Sequence, residues 1–405
     1  MGAVLSTTSM TSLSTLDQRP GRRAWRLLAT CSRGLEGVVG AELRAMGAAG
    51  VEEGRGVVEF SGGLEEVYRA NVGLRAAMRV LLHLTQGEAG GREALFALAS
   101  AVAWEDWVRP EQTIVVDAAG RTQAFRNSGF AALVVKDAVV DRLRSRTGRR
   151  PDVSRTDADV RIHLHLQGTH ASLALDASGE PLAHRGYRPR GGPAPLSEAL
   201  AAGCLALAGY DGRQPFVDPM AGTGTIAIEA ALIATATAPG LRRHFACERW
   251  PCHSGELLAS VRATAAAMRR SAPVPVLARD VNPRAVAAIR HNATAAGMGG
   301  VVRVERGEVR SLPVQAPGTV VLTNPPYGER LGEPTELKVL YRGLGDTFKQ
   351  RLPECTVWIL TGNPELAKSI GLRANRRVQV FNGPIECRLL RYEIVAGSPR
   401  HRSTG

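Results

Sequence analysis

Asn324-Pro325-Pro326-Tyr327 is the segment of this 405-residue chain whose residue types are best suited to chemistry. It follows Thr319-Val320-Val321-Leu322-Thr323, a run that reads as a buried strand. Such a strand delivers a rigid loop to the carboxyl edge of a sheet, where open α/β folds bind ligands. The chemistry that fits is methylation of an exocyclic amino nitrogen. That nitrogen is a poor nucleophile, because its lone pair is delocalised. The Asn324 side-chain oxygen and the Pro325 carbonyl can hold its hydrogens, which points the lone pair at a sulfonium methyl and stabilises the developing charge. Proline keeps the loop stiff, and Tyr327 is an aromatic able to stack on a planar base. Asn324, Pro325, Pro326 and Tyr327 are the candidate catalytic residues.

Upstream, Gln214 to Val217 reads as a short strand ending at Asp218. Pro219-Met220-Ala221-Gly222-Thr223-Gly224-Thr225 follows, then a helix over Ile226 to Ala236. Strand, Gly-x-Gly turn and helix make a nucleotide cradle, with glycines admitting the ligand to the backbone and a helix N-terminus favouring an anion. Asp218, Met220, Gly222, Thr223, Gly224 and Thr225 are the cofactor candidates here. Gly222-x-Gly224-x-x-Ala227 also satisfies the dinucleotide fingerprint, which expects an acid about 20 positions on. The strand-end acid is Asp280, 56 residues past Gly224, which leaves room for an inserted helical segment. Asp280 ends an apolar run and precedes Asn282-Pro283, a good N-cap and N1 pair for a helix closing at Gly297. Its carboxylate suits the two ribose hydroxyls of an adenosine. Glu308, after the next strand, is a candidate for the adenine side.

These loops need a scaffold. From Leu196 onward helix and strand alternate, the signature of a doubly wound α/β domain. Ahead of it, Trp25 to Thr30, Val57 to Phe60 and Arg79 to Leu84 read as strands, with helices over Gly34 to Met46 and Leu64 to Asn71. A second α+β segment has strands at Thr113 to Asp117, Val160 to Leu166 and Ala171 to Asp176, and a long helix near Phe130 to Ser145. Residues 182–195 are rich in Pro, Gly and Arg and read as a linker.

The chain carries 51 basic against 38 acidic residues, which favours a polyanionic partner. Between Arg121 and Arg155 nine Arg or Lys stand against three Asp, and the run continues into the turn Gly148-Arg149-Arg150-Pro151. A phosphate-contacting surface there competes with an ordinary solvated helix face. No window holds the roughly 18 apolar residues of a membrane span. The six cysteines read as reduced thiols of a cytoplasmic protein. Cys247, Cys252 and His253 lack a second half that would complete four metal ligands, and His163 and His165 read as surface residues on one strand face, so no metal is assigned. The Ser/Thr-rich N-terminus, with Gly2 and Ser6 in a loose myristoylation pattern, reads as a disordered tail.

At this point the sequence resembles the THUMP-domain RNA guanine-N2 methyltransferases over roughly Leu27 to Val395. The likeness rests on 218–231 and on Asn324-Pro-Pro-Tyr-Gly-Glu-Arg-Leu331. In the middle it rests on Lys136-Asp-Ala138, Gly148-Arg-Arg-Pro151, and Leu175-Asp-Ala-Ser-Gly-Glu-Pro-Leu182 leading into Arg185-Gly-Tyr-Arg188. The resemblance implies a Rossmann-like class I methyltransferase domain (196–398) preceded by an α+β ferredoxin-like domain (25–85) and a THUMP RNA-binding domain (86–178). Residues 179–195 would be a linker, with tails at 1–24 and 399–405. It also implies S-adenosyl-L-methionine as cofactor, with Pro195 and Leu196 lining its pocket, and Lys136, Arg149, Arg150, Arg185 and Arg188 on RNA. Met220-Ala221 and Glu308 depart from the family's usual residues. The expected activity is N2-methylation of a guanosine in structured RNA, 23S ribosomal RNA first. No obligate protein partner is inferred. Alternatives are the same reaction on transfer RNA, N-methylation of a protein glutamine or a DNA base, and an assembly factor with an inactive catalytic domain.

Overall fold

The computed structural model describes residues 24–189, 196–327 and 334–395. The terminal tails, Pro195, and residues 328–331 of the candidate catalytic motif lie outside these. The first half runs β1 (Trp25–Cys31), α1 (Glu36–Ala45), β2 (Ala49–Gly54), β3 (Val57–Gly62), α2 (Leu64–Gly73), β4 (Ala77–Glu88), α3 (Arg92–Ser100), β5 (Ile114–Thr122), α4 (Ser128–Thr147), β6 (Val160–Gly168) and β7 (His170–Asp176). The second half runs α5 (Glu198–Leu207), β8 (Phe216–Asp218), α6 (Thr225–Ala234), α7 (Gly255–Ala267), β9 (Val276–Asp280), α8 (Pro283–Ala295), β10 (Val302–Arg306), β11 (Val320–Thr323), α9 (Pro334–Arg351), β12 (Thr356–Thr361), α10 (Pro364–Lys368), β13 (Arg376–Asn382) and β14 (Ile385–Glu393).

The first half forms one seven-stranded sheet, in the order β2-β3-β1-β4-β7-β6-β5. The two segments read separately in the sequence are fused through the antiparallel β4–β7 pair, in which Leu82 faces Leu175. β6 alternates as its sequence requires: Val160, Ile162, Leu164 and Leu166 are buried. His163 is a partial correction to the surface reading, since it is half-buried and lies 3.1 Å from the buried Asp176 carboxylate. His165 is exposed. β2 was not anticipated. Its sequence, Ala-Gly-Val-Glu-Glu-Gly, is exposed almost throughout and has no apolar alternation; pairing with β3 makes it a strand.

The second sheet has the order β10-β9-β8-β11-β12-β14-β13, with β14 antiparallel to β12 and β13. Strand order reverses between β8 and β11, the switch point at which such sheets bind ligands. The helix inserted ahead of β9 is α7.

The halves share a core. Trp25 of β1, Trp107 and Trp250 meet edge to face with ring centroids 5.7, 6.5 and 5.7 Å apart. The stretch read as a linker is no loose tether up to its last described residue: Tyr187 is buried, and Leu182 N donates to Met78 O at 2.7 Å. Among the described residues no helix is long and apolar enough to cross a membrane. All six cysteines are free thiols.

Candidate active site

β8 and β11 lie side by side, with Val217 opposite Val321. Asp218 and Asn324 therefore emerge at the same carboxyl edge from neighbouring strands. The loop after Asp218 bends through Gly222 (φ 56°) and Gly224 (φ 87°), left-handed conformations that glycine adopts without strain. A Cβ on Gly222 would meet open space, so this backbone is accessible to a ligand. Gly224 caps α6, whose first N–H groups have no partner within the helix.

The loop is tied to the next strand. Ala221 N donates to Arg279 O (2.8 Å) and Gly222 N to Asp280 Oδ2 (2.9 Å). Asn282 N donates to Asp280 Oδ1 (2.9 Å). Each Asp280 oxygen thus accepts one backbone N–H and keeps a second lone pair for a hydroxyl. From α8, Asn292 Nδ2 donates to Thr223 O (2.9 Å). The Asn282 side chain caps α8 by accepting from Arg284 N at 2.9 Å.

Asp218 is 1 % exposed, and burial pushes its carboxyl up to about 7. The charge of Asp280 acts in the same direction, against the Met220 N–H that Asp218 Oδ1 accepts at 3.3 Å. Asp218 is a buried acid that a cationic or hydrogen-bond-donating ligand group would hold ionised.

Asn324 carries the clearest chemical signal: its Oδ1 is buried and accepts no hydrogen bond from the described residues. Buried acceptors are nearly always paired, so one left open at a ligand-binding edge is a place for a ligand N–H. Tyr327 is half-buried. Its Cδ2–Cε2 edge lies over Gly362, where an added Cβ would approach those carbons to 2.9 and 2.7 Å. Its hydroxyl stands 4.0 Å from Cys387 Sγ. The β12–β14 end of the sheet thus fixes the tyrosine, a role for Gly362 that the sequence did not disclose.

Glu308 sits at the tip of β10 beside Asp280, since Arg306 pairs with Asp280 and Gly307 N donates to Asp280 O (3.0 Å). Leu196 is buried just ahead of α5.

The RNA-facing candidates divide. Arg149 and Arg150 are exposed in the turn after α4, beyond the Gly148 cap (φ 71°). Lys136 lies against Asp137 at 2.5 Å with its side chain 22 % exposed, which leaves it little surface to offer a phosphate. Arg142 points inward to Glu105 (2.9 and 2.8 Å). Arg185 and Arg188 are corrections. The Arg185 side chain is 3 % exposed, 3.4 Å from the wholly buried Glu229 of α6, and donates to Arg75 O (2.5 Å). Arg188 forks onto Glu198 at 2.9 and 2.6 Å. Both serve the interior because a buried guanidinium has to be paired, and the acids that pair them lie far along the chain. Glu229 had one sequence signal, a lone acid in the otherwise apolar Ile226-Ala-Ile-Glu-Ala-Ala231. Of the cluster considered for metal, Cys247 is buried in the core, and His253 Nδ1 is held by Tyr68 Oη at 2.6 Å.

Comparison with known proteins places this geometry. Residues 26–81 match the RlmL ferredoxin-like domain and residues 92–176 the THUMP domain. Curated relatives named ribosomal RNA large subunit methyltransferase K/L include one from Syntrophotalea carbinolica. It is 41 % identical over 382 residues, spanning 91 % of this chain and 53 % of the relative. Another, from Allochromatium vinosum, is 41 % identical over 90 % of this chain and 51 % of its own length. The chain spans about half the length of the curated relatives it matches. Among solved structures, SMU.472, a protein described as a methyltransferase and complexed with SAH, superposes with TM-score 0.83 at 28 % identity, covering 93 % of this chain and all of its own. A Listeria monocytogenes protein described as an N6-adenine-specific DNA methylase gives 0.84 at 29 %, covering 93 % and 97 %. Residues 185–391, just over half of the chain and the part that holds Asp218, Asp280 and Asn324, match the UPF0020 family, so the chain belongs to the RMKL-like methyltransferase domain family.

Proposed function

We propose that this protein transfers a methyl group from S-adenosylmethionine to the exocyclic N2 of a guanosine in large-subunit ribosomal RNA, in the cytoplasm. The observation that carries the proposal is the buried, unpaired acceptor Asn324 Oδ1, on the strand next to that of Asp218 at the switch point. The cradle fits the methyl donor: an accessible Gly222 backbone, the α6 N-terminus, and the Asp218 and Asp280 carboxylates. Asp280 would hold the ribose hydroxyls, Glu308 and Leu196 would flank the remainder, and Asp218 would face the amino-acid end. When bound, the donor supplies an electrophilic methyl on a sulfonium.

This chain's residues then do the positioning. Asn324 Oδ1 would accept one amino hydrogen and the Pro325 carbonyl the other, so the nitrogen lone pair is free to take the methyl as the flipped base settles beside Tyr327; the S–CH3 bond breaks to leave the neutral thioether of S-adenosylhomocysteine, and the methylated nitrogen releases one proton to solvent. Pro326 keeps the loop from relaxing. No covalent enzyme intermediate is required. For the substrate, support comes from the names of the curated relatives and from the exposed Arg149-Arg150 turn in the THUMP region. The description of the Listeria neighbour favours a second reading, an adenine N6, whose amino group presents the same two hydrogens.

Mass-spectrometric nucleoside mapping separates them. RNA and DNA from a strain lacking the protein would be digested, and the purified protein supplied to restore the missing mark. Loss and restoration of N2-methylguanosine in large-subunit ribosomal RNA is the expected result. A missing mark confined to transfer RNA, or a missing N6-methyladenine in DNA, would replace the substrate proposed.

A further inference from the structure

The motif Arg185-Gly186-Tyr187-Arg188 invites assignment to RNA by its charge, yet its side chains converge on the helix that carries the cofactor loop. Arg185 pairs with Glu229 at 3.4 Å, and Tyr187 Oη donates to the same carboxylate at 3.2 Å. Arg188 reaches furthest toward the site. Its Nε donates to Glu198 Oε1 (2.9 Å) and its Nη2 lies 2.6 Å from Glu198 Oε2, a two-pronged pairing with an acid that is 3 % exposed. The remaining nitrogen, Nη1, points at Leu196 O (3.4 Å) and Thr225 Oγ1 (3.3 Å).

Those two acceptors belong to different elements next to the cradle. Thr225 is the first residue of α6, directly after Gly224, and Leu196 leads into α5. One planar guanidinium therefore fixes the first turn of α6, the start of α5 and the end of the connector relative to one another. An ammonium on a flexible stem cannot span three such directions.

We propose that Arg188 is a positioning residue for the methyl-donor site, holding Thr225 and Leu196 at the spacing that the donor requires, and that it does not contact RNA. The inference rests on the reading of this loop as the methyl-donor cradle. It predicts that Arg188 sets affinity for the donor and its product while leaving the RNA surface untouched.

The test uses the full chain and two variants, Arg188→Lys and Arg188→Ala. S-adenosylhomocysteine binding is measured by calorimetry without RNA. Binding of a transcribed ribosomal RNA domain is titrated at several salt concentrations. Loss of a charge-assisted hydrogen-bond set should weaken S-adenosylhomocysteine about tenfold or more in both variants. The RNA dissociation constant and its salt dependence should stay within about twofold of wild type. A phosphate contact would give the opposite pattern: unchanged S-adenosylhomocysteine binding, weaker RNA binding in Arg188→Ala with a salt slope lower by about one, and rescue by lysine. That pattern overturns the proposal, as does a lowered melting temperature with both affinities unchanged. Should the alanine variant not fold, the lysine variant carries the test by itself. Wild-type protein that fails to bind S-adenosylhomocysteine would refute the cradle reading, a distinct outcome from its variants binding normally.

Discussion

Replacing Asp218 by Asn should make the ligand-free protein more stable at neutral pH, and by an amount that depends on pH in a fixed direction. Asp218 is 1 % exposed and its carboxyl is pushed up to about 7, against 3.8 when unburied. The native state therefore holds a proton that the unfolded chain releases above roughly pH 4, and native stability falls as pH rises from there to about 7. A shift of about three units, at about 1.4 kcal/mol each, sets a ceiling of about 4 kcal/mol on the penalty above pH 7. Asn keeps the shape and removes the ionisation. It adds an amide N–H that costs about 1–3 kcal/mol if unpaired, but that cost does not change with pH. The quantity to measure is the variant's stability minus wild type's at pH 8, less the same difference at pH 5. It should be positive, about 2–3 kcal/mol, since only the part of the penalty accrued between pH 5 and pH 7 enters. Urea unfolding of the full chain without S-adenosylmethionine reads it. Parallel stability–pH curves for the two proteins would refute the argument that Asp218 is a strained, buried carboxylate.

Three further outcomes follow from the site. Asn324→Ala should cost at least about 10²-fold in methyl transfer, as loss of an electrostatic stabiliser does, with RNA affinity retained in a filter-binding assay; unchanged turnover would reject its role. Gly362→Ala places a Cβ within 2.7 Å of the Tyr327 ring and must displace that tyrosine. It should lower kcat about tenfold or more while leaving S-adenosylhomocysteine affinity unchanged, and equal kcat would show that Tyr327 is not needed in place. Reversing Arg149 and Arg150 to Glu should weaken RNA binding and flatten its salt dependence by about two units of slope, measured by titration in increasing salt; an unaltered slope would remove this turn from the RNA surface.

The fold was readable wherever the chain obeys a local rule. β1, β3, β4, β6 and β7 alternate or run apolar, and their bounds came within a few residues. α8 announces itself by Asn282-Pro283 at one end and Gly297 at the other. The placement of the candidate site was readable for the same reason: in a doubly wound sheet the carboxyl ends of the parallel strands share one edge, so Asp218, Asp280 and Asn324 are brought to it by counting strands. What was hidden is everything set by partners distant in sequence. β2 has no pattern of its own and depends on β3. Arg185 sits in a Pro- and Gly-rich stretch that reads as solvent-exposed, and only the fold reveals Glu229, 44 residues on, beneath it. Gly362 looks like a turn glycine until the Tyr327 ring is found above it.

The arginines that grip α6 also set an order on synthesis. Arg75, from the first half, donates to Thr237 O just past the helix and reaches Leu232 O within it, while Arg185 engages Glu229 at its middle. As the chain leaves the ribosome, the first sheet can form before α6 exists, but Arg75 and Arg185 then lack the acceptors that α6 and the residues just after it supply. Cutting the chain after residue 195 inflicts the converse fault, stranding a buried glutamate in an apolar helix. Neither piece is a natural unit for expression. The boundary that the sequence draws at its Pro- and Arg-rich stretch is a boundary of composition, and folding of the two halves is completed jointly.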